Sequence, residues 1–119
     1  MEKKEIEIIE LGVRDKDSAV RKVAFQACVR RDVPLKILEL GLRDKDSCVR
    51  EAAVLACVGR DIPLETLELG VRDDSWIVRE AAFQACTGRD IPPEILELGL
   101  RDKDIRHLAK IRCSGKIGA

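Results

Sequence analysis

The chain has 119 residues, the size of one modest domain. Its 22 Lys plus Arg balance 22 Asp plus Glu, which excludes a generally basic nucleic-acid wrapper, and an apolar fraction of 45% argues against disorder. With 3% aromatics, no Tyr and a single His, little is left for a base-stacking platform or for metal and acid–base chemistry.

Residues 1–10 are charged, and Glu7 and Glu10 interrupt their apolar positions. They supply neither the unbroken apolar stretch of a signal peptide nor the roughly 20 apolar residues of a membrane helix, so a soluble, cytoplasmic chain is expected. The segment Ile6-Glu7-Ile8-Ile9-Glu10 matches Leu35-Lys36-Ile37-Leu38-Glu39 and reads as the end of a preceding unit. Three copies follow without insertion at a period of 29: LGVRDKDSAVRKVAFQACVRRDVPLKILE (11–39), LGLRDKDSCVREAAVLACVGRDIPLETLE (40–68) and LGVRDDSWIVREAAFQACTGRDIPPEILE (69–97). Residues 98–119 open a last unit with LGLRDKD and then diverge. With two residues deleted, Ile105, Arg106 and Cys113 fall in the Val49, Arg50 and Cys57 slots, and Lys110 and Arg112 replace Val54 and Ala56. Charge in place of small apolar residues suits a terminal unit whose outer face meets water. One domain over residues 1–119 is therefore expected.

Each unit divides into two predicted helices. The first, over 34–43, begins at Pro34, which suits a first helical turn, with Asp32 placed to cap the free amides. Its apolar positions (Leu35, Ile37, Leu38, Leu40, Leu42) span a wide arc and leave Lys36 and Glu39 for solvent. The Leu-Gly pairs place Gly12, Gly41, Gly70 and Gly99 within this helix, where the missing side chain permits close packing. The second helix starts after Arg43-Asp44-Lys45-Asp46, with Asp46 or Ser47 as N-cap, Ser75 in the corresponding role one unit on, and Gly59 at the C-terminal end. Val49, Ala53, Ala56 and Cys57 share one face at helical spacing. Ser47, Glu51 and Leu55 occupy the opposite face. A unit of this kind cannot bury its apolar residues alone, so the copies must stack.

The stretch Asp44…Val49-Arg50-Glu51-Ala52-Ala53…Ala56-Cys57 resembles the HEAT repeat family, especially its short bacterial HEAT-like variants. The P-x-E-x-L and D-x-D-x-x-V-R pieces are similar to the variant leucine-rich repeat, the second choice. Either resemblance implies an all-α fold, a right-handed α-solenoid (α/α superhelix) of two-helix repeats. The HEAT resemblance further implies an inter-repeat ladder of Asp and Arg six residues apart, here Asp15/Arg21, Asp44/Arg50 and Asp73/Arg79. The last unit shortens that spacing to four, Asp102/Arg106, which puts the ladder in doubt there. It also implies that second helices line a concave surface where partners bind.

Cys28, Cys57, Cys86 and Cys113 recur one per unit and read as small core filler. Neighbouring helices lie about 10 Å apart, too far for disulfides between these slots, and no CxxC is present for zinc. Cys48 stands apart, just before a core Val. The Arg-Asp pairs recur in every unit, which favours caps and ion pairs over a catalytic constellation, and His107 reads as surface decoration. No catalytic residue, metal site or cofactor is expected. The units differ along the second helix: Ser18, Ser47, Trp76; then Lys22, Glu51, Glu80; then Gln26, Leu55, Gln84. Trp is enriched at binding hot spots, so Trp76 leads this candidate protein-binding strip. Segment charges run −2 (1–10), +3 (11–39), −2 (40–68), −3 (69–97) and +4 (98–119). The acidic middle fits a protein partner better than a continuous phosphate track. The reading is a non-catalytic protein-binding scaffold or adaptor of unknown partner. Alternatives are a nucleic-acid-binding HEAT-like protein using Lys22, Arg30, Arg31 and the basic end, or an accessory or inhibitor subunit of an enzyme complex. Self-association through an exposed end, with Ile6, Ile8 and Ile9 as candidate face, is a further expectation.

Overall fold

Seven α-helices and no strand make up residues 3–86 and 90–105, the part of the chain described by the computed structural model. In chain order they are α1 (Lys3–Gly12), α2 (Ser18–Gln26), α3 (Leu35–Leu42), α4 (Ser47–Ala56), α5 (Leu64–Val71), α6 (Trp76–Ala85) and α7 (Pro93–Arg101). The expectations for Arg106, His107, Lys110, Arg112 and Cys113 lie outside the described residues.

Local chemistry sets the helix starts. The Asp17 side chain accepts from the Ala19 amide at 2.9 Å, and Asp46 accepts from Cys48 and Val49 at 2.8 and 3.3 Å. Each capping carboxylate answers amides that lack a partner in the first turn. Ser75 holds the same position before α6 but its side chain makes no cap hydrogen bond. Asp32 does not cap α3 as expected. Pro34 occupies the N-cap position in an extended conformation with no side-chain cap, and the Asp32 carboxylate points to Arg60 Nη2 at 3.9 Å instead. Two intervening residues, one a rigid proline, carry Asp32 away from the α3 amides.

Packing is pairwise, then serial. α1 lies on α2, α3 on α4 and α5 on α6; α2, α4 and α6 also pack closely on one another, while α3 touches α5 and α5 touches α7 more sparsely. The core runs through these contacts. Phe25, Cys28, Val33, Ile37, Leu38, Val49, Ala53 and Ile62 are buried in one cluster, and Phe83 packs with Ile105 and Leu96 in a second. Glycines set the depth of each pairing. A Cβ at Gly12 would meet the Ala24 Cβ at 2.8 Å, and one at Gly70 the Ala82 Cβ at 2.7 Å. At Gly41 a Cβ would collide with Ala53 and lie 2.7 Å from Phe25 Cζ.

The broad apolar arc of the first helix of each unit is not wholly buried. Leu40 was expected to pack, but Leu11, Leu40 and Leu69, at matching positions, are exposed. Loose contact between α3 and α5 leaves that edge uncovered.

Replacing Gly41 with Ala tests the close approach. Intrinsic helix propensity alone would gain about 1 kcal/mol. Overpacking against Ala53 and Phe25 should outweigh that gain, for a net loss of about 1–3 kcal/mol in urea unfolding. A neutral or more stable variant would mean that α3 and α4 are not in such contact.

Candidate functional site

What places the second helices side by side is a set of half-buried ion pairs. Arg21 Nε donates to Asp44 Oδ2 at 2.8 Å and its Nη2 to Asp44 Oδ1 at 3.1 Å. Arg50 repeats this on Asp73 at 2.8 and 3.0 Å. Arg79 reaches Asp102 at 2.6 Å and Asp104 at 2.8 Å. Within its own unit each guanidinium meets a carbonyl rather than the carboxylate: Nη1 donates to the backbone oxygen of Asp15, Asp44 or Asp73 at 2.8–2.9 Å. Asp102 thus accepts an arginine from the preceding unit whatever the spacing to Arg106 inside the last one.

The carboxylates have a second engagement. Oδ1 of Asp15, Asp44, Asp73 and Asp102 accepts the backbone amide two residues on at 2.8–3.0 Å, closing the turn into the next segment. For Asp44, burial by itself would raise the carboxyl pKa. The Arg21 hydrogen bonds, the Asp46 amide and the Arg21 charge override burial and hold it below the ordinary range. Asp102 is likewise lowered: burial opposes, and the Asp104 amide with Arg79 prevails.

The candidate strip lies on the outer side of α2, α4 and α6. Trp76 is 51% exposed at the start of α6, and Leu55 is 39% exposed near the end of α4. Gln26 and Gln84 are exposed, whereas Lys22, Glu51 and Glu80 are half-buried. They share a surface because their helices are adjacent. Sequence reading missed Val58, 51% exposed, and Val29, 40% exposed, which continue the strip past Leu55 and Gln26. The signal was present: Cys48, Glu51, Leu55 and Val58 follow one another at steps of three and four, one face of a helix prolonged into its C-terminal turn.

The thiols divide by burial. Cys28, Cys57 and Cys86 are buried and Cys48 is exposed. Burial raises the Cys57 pKa to about 11 and raises that of Cys28 too, which keeps both as thiols. Cys28 and Cys57 Sγ donate to the carbonyls of Ala24 and Ala53 at 3.4 Å. Among the described residues no group of three or more His, Cys, Asp and Glu is arranged to hold a metal, and no helix is long and apolar enough to cross a membrane.

Residues 35–54, which span α3 and most of α4, match a family model described as a HEAT repeat associated with sister chromatid cohesion. The match supports the resemblance of this chain to HEAT-type repeats. Neither a curated protein nor a solved structure matches the chain.

Two outcomes follow from this geometry. Because folding lowers the pKa of Asp44 and Asp102, their contribution is complete above about pH 4, the unfolded value, and is lost as pH falls through the folded value. The urea midpoint should hold from pH 7 to about 5, drop below about 4, and drop less steeply in Asp44→Asn. In alkylation followed by peptide mass mapping, native Cys48 should label at least about 100-fold faster than Cys28 and Cys57, with the difference abolished in denaturant.

Proposed function

We propose that this chain is a non-catalytic protein-binding scaffold, a single right-handed α-solenoid of 29-residue units whose second helices carry the partner-binding strip. The observation that supports this reading most is Trp76. It replaces the Ser18 and Ser47 of the earlier units and stands half in solvent at the head of a strip whose other end is apolar, at Leu55 and Val58. Tryptophan is among the residue types most enriched at protein-binding hot spots.

Curvature supports the same side. α2, α4 and α6 pack closely on one another, whereas α3, α5 and α7 meet more loosely. Closer spacing in one layer bends a stack toward that layer, so the strip lies on the concave side. Glu51 and Glu80 beside Lys22 make its middle acidic on balance, which favours a polypeptide over a phosphate backbone. Buried free thiols fit a reducing cytosol, the location proposed.

The test is capture of a partner from native cell extract, then titration of that partner with variants. Trp76→Ala should weaken binding about tenfold or more and Leu55→Ala by less. Both residues are exposed, so helicity and thermal midpoint should hold. Unchanged affinity in both variants would remove this strip as the binding site.

A further inference from the structure

At the amino end, the face expected from Ile6, Ile8 and Ile9 comes down to Ile8, because Ile9 is buried and Ile6 half-buried. A better-defined groove lies inside the array, in the layer of first helices. Its walls are α5 and α7, which touch only sparsely. It encloses about 350 Å³ and is lined by Leu64, Glu65, Glu68, Pro92, Glu94 and Ile95. Ile95 is buried and Leu64 and Pro92 are half-buried, so the deep part is apolar. Glu65 and Glu94 are exposed, which places their carboxylates at the rim.

Every charge lining this groove is negative. The arginines at the ends of the two helices do not offset it fully. Arg72 pairs with Glu68 at 3.0 Å and Arg101 with Glu97 at 2.6 Å, and among the described residues no cation pairs with Glu65 or Glu94. The repeat does not impose such a charge. The groove between α1 and α3 is lined by Glu10, Arg14, Lys36, Ile37 and Leu40. Glu10 and Ile37 match Glu68 and Ile95, but Lys36 stands where α7 has Glu94. A helix dipole favours an acid in the first turn, and neither α5 nor α7 has a side-chain cap. α3 is uncapped in the same way and carries Lys36 there, so the helix start alone does not call for glutamate.

We propose that the groove between α5 and α7 binds a basic polypeptide segment, its aliphatic side chain on Leu64 and Ile95 and a lysine or arginine on each side at Glu65 and Glu94. Charge complementarity sets the sign of the occupant. Glu65, Glu68 and Glu94 are not arranged to hold a metal ion, so the cation must arrive on a stem that reaches the rim. Lysine and arginine do this while laying their methylenes along apolar surface. The apolar depth also favours a polypeptide over a bare polyamine, which would leave that depth wet. The groove belongs to first helices and the Trp76 strip to second helices, so the two sites are independent.

Fluorescence anisotropy of the full chain with a labelled amphipathic peptide of leucine and lysine tests this. The expected Kd is about 10–100 µM, weakening as salt rises. The same peptide with glutamate for lysine should not bind. Spermine should displace the leucine–lysine peptide only at about tenfold higher concentration or more. Glu65→Lys and Glu94→Lys should each weaken binding about fivefold or more. Lys36 already occupies this position in α3, so both variants should keep the circular dichroism of the fold. Glu7→Lys, an equal charge change at an exposed site on α1, should leave the affinity within about twofold. Trp76→Ala should leave it unchanged, which separates this groove from the proposed strip. No binding at about 1 mM peptide would overturn the proposal. So would binding of the glutamate peptide, displacement by spermine at equal concentration, or a loss in Glu7→Lys or Trp76→Ala as large as in Glu65→Lys.

Discussion

A guanidinium near the start of α2, α4 and α6 ties two scales of structure together. One arm of Arg50 holds the carbonyl of Asp44, at the entry to its own helix, and the Nε–Nη2 edge grips Asp73 one hairpin further on. Arginine suits this because its donors are fixed in one plane and match a carboxylate two at a time. Sliding α4 by one turn, 5.4 Å, would break both engagements at once. Half-buried charges give up hydration, so the pair contributes register as much as net stability. The carboxylate contributes too, since the atom that receives arginine also closes the turn through a backbone amide.

Once register is fixed, side-chain size decides how near the helices come. Ala24, Ala53 and Ala82 sit against Gly12, Gly41 and Gly70, and Ala52 and Ala56 are buried. The Gly–Ala contacts recur unchanged from unit to unit, while one buried slot alternates between Phe25, Val54 and Phe83. The exposed side of α2, α4 and α6 varies as well, and there Trp76 takes a position held by serine in the earlier copies.

Much of this was legible because repetition supplies its own controls. Two helices per unit, capping at Asp46, glycine at the close approach and buried Cys57 follow from spacing and side-chain chemistry. The geometry of Asp32 did not. A capping residue must sit beside the first turn, and the proline between Asp32 and Leu35 redirects the chain. Leu40 was misjudged for a different reason. A wide apolar arc shows that a helix has several neighbours, but not which side a loosely packed neighbour leaves bare.

The ion-pair chain also has a direction. Each unit offers a cation forward and an anion backward, so every seam is made from one half of each neighbour. A stretch of gene encoding one unit can be duplicated or excised between any two others without leaving an unmatched group at the new join. An inverted unit would set like charge against like. Recombination can therefore lengthen or shorten such an array in whole steps while preserving the pitch of every step that remains.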